Sequence, residues 1–372
     1  MKVLVISNYR STHSVRPEAE MFIGMALQGI QVTIMTDGDC EYATRFRAVG
    51  IEVVDFMPKK KLDRAEIAFI RKHLNEGGFD VMHLFNSKAI INGIQAAKGH
   101  PVKVVLYRGF IGHVHPWDPT AYFKYLHPRV DQIIGNSEGV AESLRSNMWW
   151  GKEKVSRVYK GHRLDWYAST QPASRAEMGI PDHAFLSVCT ANYRPMKGIL
   201  ELLEAMAAIP EDYPVHLLLV GKGMDAPVIE RMLKNHPLKG RIHRLGFRPD
   251  VLAITAACDL AICPSTKAEG MAKTVIEAMA LGVPVLATDI PGNRELVIHN
   301  ESGWVVPPRD PVALASGIRL LYEDVALRES LKTGGPDRIQ SFLHIDQSVQ
   351  DTLDIYQKLL QPNFRKISKG VK

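Results

Sequence analysis

Pro264-Ser265-Thr266-Lys267-Ala268-Glu269-Gly270-Met271-Ala272-Lys273-Thr274-Val275-Ile276-Glu277-Ala278-Met279-Ala280-Leu281-Gly282-Val283-Pro284 sets two glutamates eight positions apart, between the apolar runs Asp259 to Cys263 and Pro284 to Ala287. The runs read as strands, and Met271 to Leu281 reads as the helix between them. Glycine at 270 lets backbone come close to a ligand. A helix N-terminus presents unpaired N–H groups to anions, and carboxylates accept hydrogen bonds from sugar hydroxyls. On an ideal helix, eight steps of about 100° leave two side chains about 80° apart. Glu269 and Glu277 are therefore either a pair facing one ligand or two incidental acids on a partly buried helix.

Outward from this stretch the chain alternates strand and helix. Upstream, Phe185 to Cys189 reads as a strand, Ala191-Asn192-Tyr193-Arg194-Pro195-Met196-Lys197-Gly198 as a loop and Ile199 to Ala208 as a helix. His216 to Val220 ends in Gly221-Lys222-Gly223, and Ile242 to Leu245 ends in Gly246-Phe247-Arg248. The first half offers Val3 to Ile6, Val32 to Met35, Glu52 to Asp55, Val81 to Leu84, Val102 to Tyr107, Gln132 to Gly135 and Val155 to Tyr159. Gly161 to Ser174 reads as a linker. Such alternation predicts parallel sheets in an α/β chain, as two Rossmann-like doubly wound domains with ligand in a cleft between them.

Pro264-Ser265, Glu269-Gly270, Glu277-Ala278-Met279 and Gly282-Val283-Pro284 together resemble the Glu-x7-Glu motif of the retaining glycosyltransferase family 4. The match in order and spacing runs from about 184 to 325 and takes in Asp289-Ile290-Pro291-Gly292-Asn293 and Gly303-Trp304-Val305-Val306-Pro307. The first half agrees mainly in strand and helix rhythm. The resemblance implies the GT-B architecture, with an acceptor-side domain over 1–168 and a nucleotide-sugar domain over 169–344. It also implies a helix over 345–362 crossing back to the first domain, before a basic tail over 363–372. It implies a retaining transferase, moving a hexose or related sugar from a nucleotide-sugar donor to a glycan or lipid-linked acceptor in cell-surface polysaccharide or lipopolysaccharide-type biosynthesis.

Lys197 precedes a glycine and a helix start, where ammonium and helix dipole act on one anion, and so suits a diphosphate. By the resemblance, Glu277 contacts the nucleotide ribose, while Glu269 contacts donor-sugar hydroxyls with help from Gly270 and Met271. Gly198, Gly221, Lys222, Phe247, Arg248 and Ser265 complete the expected donor side, although Lys222 reads equally as an ordinary surface lysine. Many family members carry an arginine five residues before the lysine. Here that position is Asn192, and Arg194 is the nearest replacement, able to grip two phosphate oxygens.

The first half departs from the family twice. Ser7 to Pro17 lacks the usual Gly-Gly turn, leaving side chains such as Arg10, Ser11 and Arg16 to approach phosphate. The usual histidine after the fifth strand is replaced by Tyr107-Arg108-Gly109, so the acceptor side falls to Arg108 or to His113 and His115. That His-x-His pair invites a metal reading with Asp118 or His127 as third ligand. The expectation is nevertheless no cofactor and no metal: metal-independent action is usual for the family, and no Asp-x-Asp pair of the metal-dependent type occurs.

With 372 residues and 46% apolar content the chain can bury two cores. Val3-Leu4-Val5-Ile6 is too short for a signal peptide, and no run approaches a membrane span. A cytoplasmic enzyme is expected, peripheral at most on the inner face of the cytoplasmic membrane. The four cysteines read as reduced core residues. A net charge of +6 brings anionic partners into view. Lys59-Lys60-Lys61 with Arg64, Arg71 and Lys72, and the Met148-Trp149-Trp150 tip with Lys152 and Lys154, read as a membrane contact or as a solvated face and a core anchor. No nucleic-acid motif accompanies the charge. Alternative functions are a nucleotide-sugar 2-epimerase of the same architecture and a non-catalytic nucleotide-sugar-binding subunit; the intact Lys197, Glu269 and Glu277 argue against the latter.

Overall fold

Strand-forming Val, Ile and Leu runs build two parallel sheets, each in its own unit of a computed structural model. Residues 1–362 are described apart from Ser11, His113, Ala268 and Glu269; the expectations for Ser11, His113, Glu269 and the basic tail therefore lie outside the described residues.

The first unit comprises Met1–Gly161 and the segment from Leu343 onward. Its strands are β1 (Lys2–Ile6), β2 (Gln31–Thr36), β3 (Glu52–Asp55), β4 (Val81–Leu84), β5 (Lys103–Arg108), β6 (Gln132–Gly135) and β7 (Val155–Arg157). They lie in the order β3-β2-β1-β4-β5-β6-β7. The strands β4 and β6 are buried throughout, although each carries one polar side chain, His83 and Gln132, whereas β3 at the edge is partly exposed. The helix Ile345–Leu360 packs on the helix Thr12–Leu27, where Gly24 admits Val349: a Cβ at 24 would lie 2.8 Å from Val349 Cγ2.

Tyr356 of that C-terminal helix places its hydroxyl 2.6 Å from Nδ1 of the buried His83 on β4. Burial pushes the imidazole down to about 3. The sign follows: the unfolded chain binds the proton and the folded chain refuses it. His83 therefore supports stability fully above about pH 6.5 and loses that support as pH falls towards 3, at up to about 1.4 kcal/mol per pH unit. His83→Gln should flatten the pH dependence of urea unfolding between about pH 6.5 and pH 4. Parallel stability curves for the two proteins would contradict this.

The second unit, His162–Phe342, holds β8 (Phe185–Thr190), β9 (Val215–Val220), β10 (Ile242–Gly246), β11 (Leu260–Cys263), β12 (Val285–Thr288) and β13 (Trp304–Val306). Their order is β10-β9-β8-β11-β12-β13. The chain winds from β8 to one side and returns through β11 to the other, so the sheet reverses between these two strands. Ligands of doubly wound sheets bind at the carboxyl ends of strands beside such a reversal.

The helix after β11 differs from the sequence reading. It spans Lys273–Ala280 and lacks a side-chain cap, with Ala272 at the capping position. The described helix thus starts two residues later than the expected Met271. All four cysteines are free and buried. Among the described residues, no helix is long and apolar enough to cross a membrane.

Candidate functional site

Three loops after β8, β9 and β11 are tied together by main-chain and side-chain hydrogen bonds. After β8, Pro195–Lys197 forms a short 3-10 turn and Gly198 follows with φ +69°. A Cβ at 198 would lie 1.8 Å from the carbonyl oxygen of Pro264, so glycine is required both for the left-handed backbone and for the approach of the β11 loop. Thr266 N–H donates to the Met196 carbonyl at 2.8 Å, closing the same contact. Lys197 is half-buried in this turn, whereas Arg194 is exposed.

Gly221, at the end of β9, has φ +138°, and a Cβ there would meet the Ala191 carbonyl oxygen at 2.0 Å. Asn192 Oδ1 accepts the Lys222 N–H at 2.9 Å, and Tyr193 N–H donates to the Lys222 carbonyl at 2.8 Å. Asn192, where the family resemblance implies an arginine, is thus a tie between loops, a role its sequence position did not signal. Gly246 accepts the Gly221 N–H at 2.7 Å and brings the β10 loop to the same rim. There Phe247 is 65% exposed, with the Lys222 ammonium 5.4 Å from its ring centroid. Arg248 is held by both oxygens of Asp250, at 2.7 and 2.5 Å, and its hydrogen bonds keep that carboxyl below the usual carboxylate range.

Glu277 is buried, and its Oε1 takes the Lys273 ammonium at 2.5 Å, one turn back on the same helix. Ser265 is buried and Gly270 is buried beside the exposed Lys267, while Met271 is half-buried. Neither the helix Ile199–Ala207 nor the helix Lys273–Ala280 has a side-chain cap from its N-cap residue, Gly198 or Ala272, so among the described residues no N-cap side chain engages the first-turn N–H groups. In chemical terms this rim assembles a turn lysine, two uncapped helix starts, an exposed aromatic ring and a buried carboxylate around one sheet reversal.

On the first unit, Arg108 ends β5 and is buried. Its Nε donates to the Phe110 carbonyl at 3.0 Å, and its terminal nitrogen to the Gly112 carbonyl. The guanidinium also sits 3.5 Å from the Phe110 ring centroid. Arg108 therefore shapes its own loop. His115 stacks on the exposed Trp117, ring centroids 4.7 Å apart, with Nδ1 buried and without a partner among the described residues. Asp118 caps its own turn through Thr120, and Nδ1 of His127 accepts the Arg129 N–H. No group of three or more potential metal ligands occurs among the described residues.

Comparison with known proteins bears on both units. Residues 170–338 match the model for "Glycosyl transferases group 1", and residues 19–166 match that for "Glycosyltransferase Family 4". The chain is 26% identical over 187 residues to the N-acetyl-alpha-D-glucosaminyl L-malate synthase of Bacillus anthracis, covering 50% of this chain and 49% of that protein. It is 26% identical over 317 residues to the phosphatidyl-myo-inositol mannosyltransferase of Mycobacterium leprae, covering 80% of this chain and 78% of that one. It thus spans about half the length of the first relative. Among solved structures, HepE of Anabaena in complex with UDP superposes with a TM-score of 0.77 at 21% identity, covering 96% of this chain and 100% of that one.

Proposed function

Because the chain belongs to glycosyltransferase family 4, we propose that it moves a sugar from a nucleotide-sugar donor to a glycan or lipid-linked acceptor with retention of configuration. The setting is cell-surface polysaccharide or lipopolysaccharide-type biosynthesis on the cytosolic side of a membrane. The observation that carries this reading is the meeting of the Lys197 turn, the Lys222–Phe247 edge and the Ser265 loop at the reversal between β8 and β11.

Each residue has a defined task in this reading. The Lys197 ammonium and the exposed Arg194 take the diphosphate, with the uncapped N-terminus of the helix Ile199–Ala207 adding its partial positive charge. As the sugar–phosphate bond breaks, that positive charge stabilises the leaving diphosphate more than the bound donor, which is what accelerates the step. Phe247 offers its exposed face to the nucleobase, and the main chain of Gly246 lines the same edge; Arg248, already paired with Asp250, shapes the loop. Glu277 accepts from the ribose hydroxyls, and Lys273 orients its carboxylate. Glu269, Gly270 and Met271 hold the donor sugar. Retention arises by attack of the acceptor hydroxyl on the face the diphosphate leaves, the departing phosphate taking the hydroxyl proton. His113 and His115 serve the acceptor side, and Arg108 supports the loop that carries them.

Since lysine, arginine and helix dipoles meet the diphosphate charge, turnover should proceed without a divalent cation. Activity in EDTA equal to activity in magnesium is the expected result. Loss of activity in EDTA, restored by magnesium or manganese, would contradict it; restoration by zinc alone would return attention to His113 and His115. The transferase reading itself is tested by screening nucleotide sugars for thermal stabilisation and then assaying the stabilising donor with candidate acceptors.

A further inference from the structure

A buried polar cluster sits at the carboxyl ends of β11 and β12. Val285, Leu286 and Ala287 are apolar and buried, and Thr288, equally buried, ends β12 with a hydroxyl. The two strands pair as far as Cys263 and Ala287. Past that pair the Ile290 N–H turns back to the Thr288 carbonyl at 2.9 Å, and the Thr288 side chain takes over from the main chain. Its Oγ1 donates to the Ser265 carbonyl at 2.5 Å and lies 3.3 Å from the Cys263 carbonyl. Asn293, fully buried on the helix Pro291–Leu296, donates through Nδ2 to the Thr288 carbonyl at 3.0 Å, and Nδ2 stands 3.8 Å from Cys263 Sγ. Its Oδ1 is buried without a partner among the described residues. An amide that leaves a buried acceptor unpaired weakens a core, so the contribution of Asn293 lies in what Nδ2 holds.

The Ser265 carbonyl and the Thr266 N–H belong to one peptide group, and that group is gripped at both ends. Thr288 Oγ1 holds the carbonyl, while the N–H donates to the Met196 carbonyl at 2.8 Å, in the turn that carries Lys197. Because a peptide group is planar, rotating it away from Thr288 also swings its N–H away from Met196. Hydrogen bonds therefore run in series from Asn293 through Thr288 and the 265–266 peptide to Met196, the residue before Lys197, and each polarises the next.

We propose that Thr288 and Asn293 are positioning residues for sugar transfer: they fix the plane of the 265–266 peptide and, through it, the Met196–Lys197 turn, which sets where the ammonium stands as the diphosphate leaves. Both act from within the core, through the loop. The inference rests on the donor-site reading above and deepens it. Several groups share the bound donor, so a displaced ammonium is felt less in the ground state than in the transition state, where charge on the leaving diphosphate is greatest. The signature is a loss of kcat with little change in KM.

Thr288→Val keeps the shape of the side chain and removes the hydroxyl, whereas Thr288→Ser keeps the hydroxyl and removes the methyl group. Both are assayed with the nucleotide sugar that stabilises the wild type and with its acceptor. The kcat of Thr288→Val should fall about 10- to 100-fold while KM for the donor changes less than about threefold. Thr288→Ser should keep kcat within about threefold of wild type although it loses core contacts. Asn293→Ala should lower kcat in the same direction as Thr288→Val. A donor-free measurement accompanies the kinetics: hydrogen exchange at the Thr266 amide should quicken at least about tenfold in Thr288→Val and stay near the wild-type rate in Thr288→Ser. Equal kcat for the valine and serine variants, or kcat that follows melting temperature instead of the hydroxyl, overturns the inference. So does unchanged exchange at Thr266 in Thr288→Val. Wild type that binds a donor yet transfers no sugar would bring down the transferase reading, and this inference with it.

Discussion

Lys197→Ala should bind the nucleotide-sugar donor about 10- to 150-fold more weakly than wild type, the range for losing a hydrogen bond to a charged group. Turnover should fall further, because the ammonium faces more negative charge once the diphosphate begins to leave. The turn is fixed independently of that side chain, by Gly198 against Pro264 and by Thr266 N–H on the Met196 carbonyl, so the variant should fold. Glu277→Ala, on the other side of the rim, should also weaken binding, since it removes a buried carboxylate and leaves Lys273 unpaired. Calorimetry that gave unchanged donor affinity for both variants would show that the donor does not bind on this rim.

The second large effect is expected at Gly198, which carries no functional group. Gly198→Ala places a methyl group where the Pro264 carbonyl oxygen stands and forces alanine to φ +69°. The backbone strain alone costs about 1–2 kcal/mol, and separating the two loops brings the total to about 3 kcal/mol or more. Because Lys197 and Ser265 sit on the loops so parted, donor affinity should fall together with melting temperature. Gly179→Ala is the matched control: its φ is +70°, with open space around the added methyl group, so it should show strain without loss of donor affinity. If Gly198→Ala melts and binds like Gly179→Ala, the close approach of the β8 and β11 loops is not what builds the rim.

The strands were legible because central parallel strands are buried on both faces and are written mainly in apolar residues; β11 is the plainest case. The rim was legible through its glycines, since 198 and 221 each permit a backbone approach no other residue would allow. Residues whose partners lie far along the chain were not legible. Asn192 reads as a missing arginine until Lys222 N–H is seen on its side chain. Arg108 reads as a stand-in for a catalytic-side histidine until its guanidinium is seen closing the 108–112 loop. The start of the helix before Glu277 was misjudged at Met271 because Ala272 gives no capping signal to mark it.

The central claim is that this chain transfers a sugar from a nucleotide donor. Proton NMR of a reaction holding the protein, the nucleotide sugar that stabilises it and a lipid-linked acceptor tests it most directly. The account predicts donor consumption only when acceptor is present, release of the nucleoside diphosphate, and a new glycosidic bond with the anomeric configuration of the donor. A C2-epimerised nucleotide sugar formed without acceptor, or a bound donor left unchanged with every acceptor, would contradict it.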